Sequence, residues 1–177
     1  MTKTHDLTTG SLAGHFLRLA VPAAIGMVFS TLYNVVDVFF AGLISTDAQA
    51  GLAISFQAFF VFVTIGFGLG SAMTALVGNA IGAKNTADAS KIAMQGIGFA
   101  ILASALLIIM ALVLGPHLLA FISTEGAYRD AGTAYFTILL FSLPGFVMGY
   151  GLNGLLQARG DTVSMQYALI GAFFANI

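Results

Sequence analysis

Asp37 is the residue of this sequence best suited to do chemistry, because it is a carboxylate set inside an apolar run, PAAIGMVFSTLYNVVDVFFAG, from Pro22 to Gly42. At about 100° per residue, Gly26, Ser30, Tyr33, Asn34, Asp37 and Ala41 fall on one helical face. Val28, Leu32, Val35, Val36 and Phe39 lie mostly on the others. An ionisable group in a spanning helix costs roughly 2.5 to 3.5 kcal/mol on insertion scales, so such a group faces a cavity or the bundle interior and marks function. A carboxylate so placed can take up and release a proton, as acids within membrane spans do in proton relays. Ionised, it can instead join neutral oxygens, such as the amide of Asn176, around a hard cation such as sodium. Residue types leave both chemistries open.

Other chemistries are poorly provided for. The chain has no cysteine, which removes disulfides, thiolate catalysis and cysteine metal sites. His5, His15 and His117 have no metal-ligand spacing. A formal charge of -1 offers no basic field for nucleic acid. An intramembrane hydrolase is disfavoured because Asp37 has no second acid beside it within the apolar runs and no paired histidines.

The elements that must position Asp37 follow from composition. Charged residues are 7% of the 177 and apolar residues 59%, against about 25% and 45 to 50% in soluble domains, too few charges to dress a soluble surface. The fold class expected is an all-α integral membrane helix bundle. Residues 1–10 read as a polar tail, Ser11 as the cap of the first helix, and Arg18 as a headgroup-level residue. No cleavable signal is expected, so the first helix is retained. Spans are expected at about 12–44, 52–80, 92–122 and 133–156, with a fifth from 163 that is incomplete at 177, since a spanning helix needs ~20 residues.

Pro22 should kink the first span. Ser45 to Ala50 and STEGAYRDAG read as links carrying solvated Asp47, Glu125 and Asp130, and Thr86 as the cap of the third span. Gly66 and Gly70, and Gly78 and Gly82, have the small-xxx-small spacing of closely packed helices. In the fourth span Tyr150, Asn153 and Gln157 recur at helical spacing. Lys3, Arg18, Lys84, Lys91 and Arg159 fall on one side of the membrane and only Arg129 on the other. The positive-inside rule therefore makes the N-terminus cytoplasmic, with Asp37 and Asn176 at similar depth in the outer half.

Three stretches, LRLAVPAAIGMVFSTLYNVVDVFFAG, GNAIGAKNTADA and LNGLLQARGDT, together resemble the N-terminal half of a multidrug and toxic compound extrusion (MATE) transporter. The first helix, with Pro22, Tyr33 and Asp37, is similar to the branch named after the DNA-damage-inducible protein. The resemblance implies a two-lobe exporter of six helices each, in which residues 1–177 form an N-terminal lobe truncated within helix five and the C-terminal lobe is absent. It implies a non-enzymatic, multi-pass protein of the cell inner membrane that needs no cofactor beyond its coupling ion, proton or sodium. Its partners would be the lipid bilayer, the second lobe and a small organic, cationic substrate.

By the same resemblance Asp37 binds the coupling ion, with sodium possible at Asp37 and Asn176. Tyr33 and Asn176 neighbour it, Asn153 lines the cavity of the same lobe, and Pro22 lets the first helix bend. The family's second aspartate would fall four places beyond Asn176. Ser30 and Asn34, on the polar face of the first helix, are the further candidates for contact with substrate. The alternatives are a lipid-linked oligosaccharide flippase of the same superfamily, which would carry more basic residues in its cleft, or a non-transporting membrane subunit.

Overall fold

The computed structural model describes residues 11–176, apart from the side chains of Arg18 and Leu19. The tail 1–10, the headgroup role of Arg18 and residue Ile177 lie outside the described residues. The described chain is built from helices, and four stretches are long and apolar enough to cross a membrane: Leu12–Ile44, Thr46–Gly82, Thr86–Ile122 and Ala127–Ala158. At ~1.5 Å per residue the first, of 33 residues, is about 50 Å long against a hydrocarbon core of ~30 Å. This is a multi-pass membrane protein.

Helix α1 (Leu12–Ile44) starts where Ser11 Oγ accepts the N–H of Gly14, 3.2 Å away. It runs through Pro22 without losing helical pairing on either side. Ser45 then does two things at once: its extended backbone ends α1, with its N–H on Ala41 O, and its hydroxyl accepts from Ala48 N to cap α2 (Thr46–Gly82). The link expected over Ser45 to Ala50 is therefore one residue long. TDAQA enters the helix because a serine cap and Asp47 in the first turn both satisfy the positive N-terminal end of α2.

A turn with Lys84 in the left-handed region (φ 57°) leads to α3 (Thr86–Ile122). Its cap is Asn85 and not Thr86, because the Asn85 amide grips Asp88 twice: Oδ1 accepts from Asp88 N and Nδ2 donates to Asp88 Oδ2. The helix begins six residues before the expected 92 and passes Gly115 and Pro116 unbroken.

The next span also begins early. α4 (Ala127–Leu139) starts within the supposed link, a 3-10 turn covers Leu140–Ser142, and α5 (Leu143–Ala158) carries Pro144 in its first turn. Proline has no N–H to give the preceding turn, so the helix tightens there and restarts. Asp130 consequently sits in the first turn of α4. Arg129, counted above as a loop cation, closes the end of α3: Nη2 donates to Ala120 O and Ser123 O at 3.1 and 2.6 Å, and Nε to Ser123 Oγ. Finally Asp161 caps α6 (Ser164–Asn176), accepting from the N–H groups of Val163 and Ser164 at 3.0 Å each.

α2 is the central element and packs along α3, α4 and α5. Phe59, Phe62 and Val63 of α2 meet Leu107 and Ala111 of α3, Phe136 of α4 and Val147 of α5 in one buried cluster. Glycines permit the crossings. A Cβ on Gly154 would lie 2.2 Å from Gly70 O, and one on Gly70 2.6 Å from Tyr150 O, so α2 and α5 touch backbone to backbone. Ser55, fully buried, ties α2 to α4 by placing its hydroxyl 2.7 Å from Gly132 O. α1 is the edge element: it packs mainly on α6, and most of its large apolar side chains are exposed.

Candidate functional site

α1 and α6 meet side by side, and the contact has three levels. Lowest, the carboxamide of Gln166 lies against Gly26. In the middle, Phe29 packs edge-on to Phe173 at 5.5 Å between ring centres and tilts toward Phe174 at 6.5 Å. At the top, Asn176 Nδ2 donates to Asp37 Oδ1 at 3.0 Å, a partly buried bond between residues 139 apart in the chain. The spacing along α1 from Gly26 to Asp37 and along α6 from Gln166 to Asn176 is nearly equal, as two helices running the same way require.

The carboxylate has further neighbours. Tyr33, one turn below it on α1, is partly buried and within electrostatic reach of Asp37. Tyr135 of α4 is within reach of both Asp37 and Tyr33, and its ring stands 6.0 Å from Phe56 of α2. Three helices thus contribute to the surroundings of Asp37: α6 an amide bonded to it, and α1 and α4 two phenols within electrostatic reach. Tyr135 was missed in the sequence because a span starting at 133 left it looking like a boundary residue. The early start of α4 at Ala127 puts it two turns into the helix.

The polar face of α1 divides. Gly26 and Ala41 are buried and Tyr33 and Asp37 half-buried, whereas Ser30 and Asn34 are exposed. Asn34 uses its amide on its own helix, donating to Ser30 O at 2.8 Å, and is exposed where Asp37 is half-buried. A single polar face is therefore too broad a description. One edge meets α6 and the other points away.

Asn153 occupies a different place. With Tyr150 and Gln157 of α5 and Phe67, Ser71 and Thr74 of α2 it lines a cavity of about 390 Å³ between those helices, whose lining takes nothing from α1 or α6. The helical spacing of the α5 trio is what the cavity wall displays. Pro22 sits half-buried in the lower part of α1, one turn before Gly26. Among the described residues no group of three or more histidines, acids or cysteines converges to hold a metal ion. Any cation at Asp37 would draw its protein ligands from that carboxylate and from neutral oxygens.

A family model named MatE matches residues 22–177. The "Probable multidrug resistance protein NorM" of Thermotoga maritima is 26% identical over 146 residues, 82% of this chain and 32% of its own length. The protein of the same name from Burkholderia mallei is 30% identical over 160 residues, 90% of this chain and 34% of its own. The chain thus spans about a third of the length of the curated relatives it matches. Among solved structures, a MOP superfamily transporter from Pyrococcus furiosus superposes with a TM-score of 0.89 at 23% identity, over 98% of this chain and 38% of that one. A MATE described in the bent conformation gives 0.85 at 22% identity, over 93% and 37%. The structural likenesses establish the shared fold, and the family model, matching most of the sequence from Pro22 onward, establishes that the chain belongs to the MatE family.

Proposed function

We propose that this chain is the N-terminal lobe of a cation-coupled exporter of small organic compounds, working by alternating access together with a second lobe of similar design. Asp37 is the coupling group and takes a proton or a sodium ion. Asn176 and Tyr33 hold its carboxylate, and Pro22 lets α1 bend as its charge changes. Asn153 lines the cavity of this lobe, while the exposed Ser30 and Asn34 face the path of a cationic substrate. The lobe sits in the cell inner membrane with its N-terminus cytoplasmic, as Lys84, Lys91 and Arg159 on one side suggest.

The observation that carries this reading is the 3.0 Å hydrogen bond from Asn176 to Asp37. An amide that donates through nitrogen keeps its own oxygen free for a cation, and the pairing steadies the ionised acid inside a membrane bundle at a site where loading and unloading would change the α1–α6 contact. Ion and substrate exchange when each favours a different arrangement of the lobes, since a ligand shifts an equilibrium only by its differential affinity. The test is efflux of a fluorescent organic cation from proteoliposomes holding the whole gene product. With Asp37→Asn, gradient-driven efflux should be lost under both a pH and a sodium gradient while the protein stays folded. Undiminished driven efflux would remove Asp37 from the coupling role.

A further inference from the structure

On α3 no polar side chain is exposed between Gly98 and Pro116, and Phe99, Leu102, Leu106, Ile109 and Val113 all are. Such a surface on a multi-pass membrane protein meets hydrocarbon, which is its solvent at that depth. The exposed face of α2 differs, since it carries Gln57, Thr64 and Ser71, which would be costly against lipid. Where α3 meets α2, the apolar surface is cut by a groove of about 320 Å³. Phe62 and Leu107, both buried, form its floor, and the exposed Val61 of α2 and Met110 and Leu114 of α3 form its walls. His117, also exposed, is the one polar side chain of the lining.

Depth identifies what fills the groove. The apolar stretch of α3 runs from Ile92 to Ile122, between Lys91 and Ser123, and Leu107 stands at its centre. His117 is ten residues further on, and so about 15 Å along the helix, which is one leaflet's share of a hydrocarbon core of ~30 Å. The groove therefore starts at the bilayer midplane and ends where hydrocarbon gives way to headgroups, the course that an acyl chain takes. At that upper end an imidazole N–H meets phosphate oxygens, which are strong charged acceptors. We propose that the α2–α3 groove binds a phospholipid of the outer leaflet, with one acyl chain against Phe62 and Leu107 and the phosphate accepting a hydrogen bond from His117. The choice of leaflet rests on the orientation proposed above, whereas the site does not depend on the transport role. A lipid held there closes over part of the buried cluster that joins α2 to α3, and stabilises the folded lobe by binding it and not the unfolded chain.

Native mass spectrometry of the whole gene product, delipidated in detergent and given dioleoylphosphatidylglycerol in rising amounts, counts the lipids held. Val61→Trp and Leu114→Trp fill the groove from opposite walls, at positions exposed enough to accept the larger ring, and each should lower the count at low lipid by one molecule per chain. Phe121→Trp, exposed on α3 but outside the groove, should leave the count unchanged. His117→Leu should keep the site but weaken it about ten-fold, as the loss of one hydrogen bond to a charged group does. Dioleoylglycerol, which has the chains and no phosphate, should bind that variant and the unchanged protein equally. Absence of tightly held lipid from the unchanged protein overturns the proposal, as does an unchanged count with the groove filled from either wall. A filled groove that lowers the thermal midpoint without altering the count also overturns it, because protein and not lipid then covers the groove. Equal phosphatidylglycerol affinity in His117→Leu and the unchanged protein overturns the assignment of the phosphate to His117. Bound lipid is read whatever ion drives transport, so a failure of the coupling role of Asp37 would leave this test intact.

Discussion

Replacing Asn176 by leucine removes one amide from the acid and leaves the carboxylate in place. The bond lost is a single N–H donor at 3.0 Å from Asp37 Oδ1, partly buried. Hydrogen bonds to charged groups contribute about 1.5 to 3 kcal/mol in soluble proteins, whereas those between membrane helices average about 0.6 kcal/mol. The half-buried setting of Asp37 places the loss between these values, near 1.4 kcal/mol, or about ten-fold in an equilibrium constant.

The variant also loses the amide oxygen, which a sodium ion would use as a ligand and a proton would not. Efflux of a fluorescent organic cation from proteoliposomes, driven in turn by a sodium and a pH gradient, separates these roles. If sodium is the coupling ion, its half-saturating concentration should rise about ten-fold with maximal rate nearly kept. If the proton is, efflux under a pH gradient should keep its maximal rate and sodium should have no effect in either protein. Driven efflux abolished under every gradient, with Asp37 intact and the protein folded, would refute the reasoning, because it would make Asn176 essential and not supporting.

Further outcomes follow from the packing and the membrane topology. Gly154→Ala must push α5 off α2 by more than an ångström, since its Cβ would meet Gly70 O at 2.2 Å where ordinary contact begins near 3.4 Å. Overpacking of this kind costs about 1 to 3 kcal/mol, which thermal unfolding in detergent should report as a lowered midpoint. Gly68→Ala, with open space around its Cβ, should leave that midpoint unchanged. Arg129→Met removes the cap on the last carbonyls of α3 and should destabilise by about 1 kcal/mol in the same assay. Glu125→Gln should have no effect, because Glu125 is 95% exposed and its 3.8 Å ion pair with Arg129 is solvent-screened. Lastly, single cysteines at Asn85 and Glu125, in a chain that has none of its own, should react with a membrane-impermeant maleimide from opposite faces, Glu125→Cys from outside.

Hydropathy along the chain was enough to find the membrane spans, the lone carboxylate inside them and the amide at matching depth in the last helix. These are local sums: twenty apolar residues need lipid or core wherever they pack, and an acid among them is costly in any fold. Helix ends were less legible, since Ser45 and Asn85 each act through one side-chain bond that shortens a link or starts a helix several residues early. What only the tertiary structure decided were the meetings between helices. Whether Asn176 reaches Asp37, whether Tyr135 joins them, and which edge of α1 is covered depend on how closely the helices approach. That is set by notches such as Gly26, Gly70 and Gly154, whose partners lie 80 or more residues away. The same residue types would serve as plain packing at any other crossing angle, which is why Asn34 faces away while Asn176, on another helix, holds the acid.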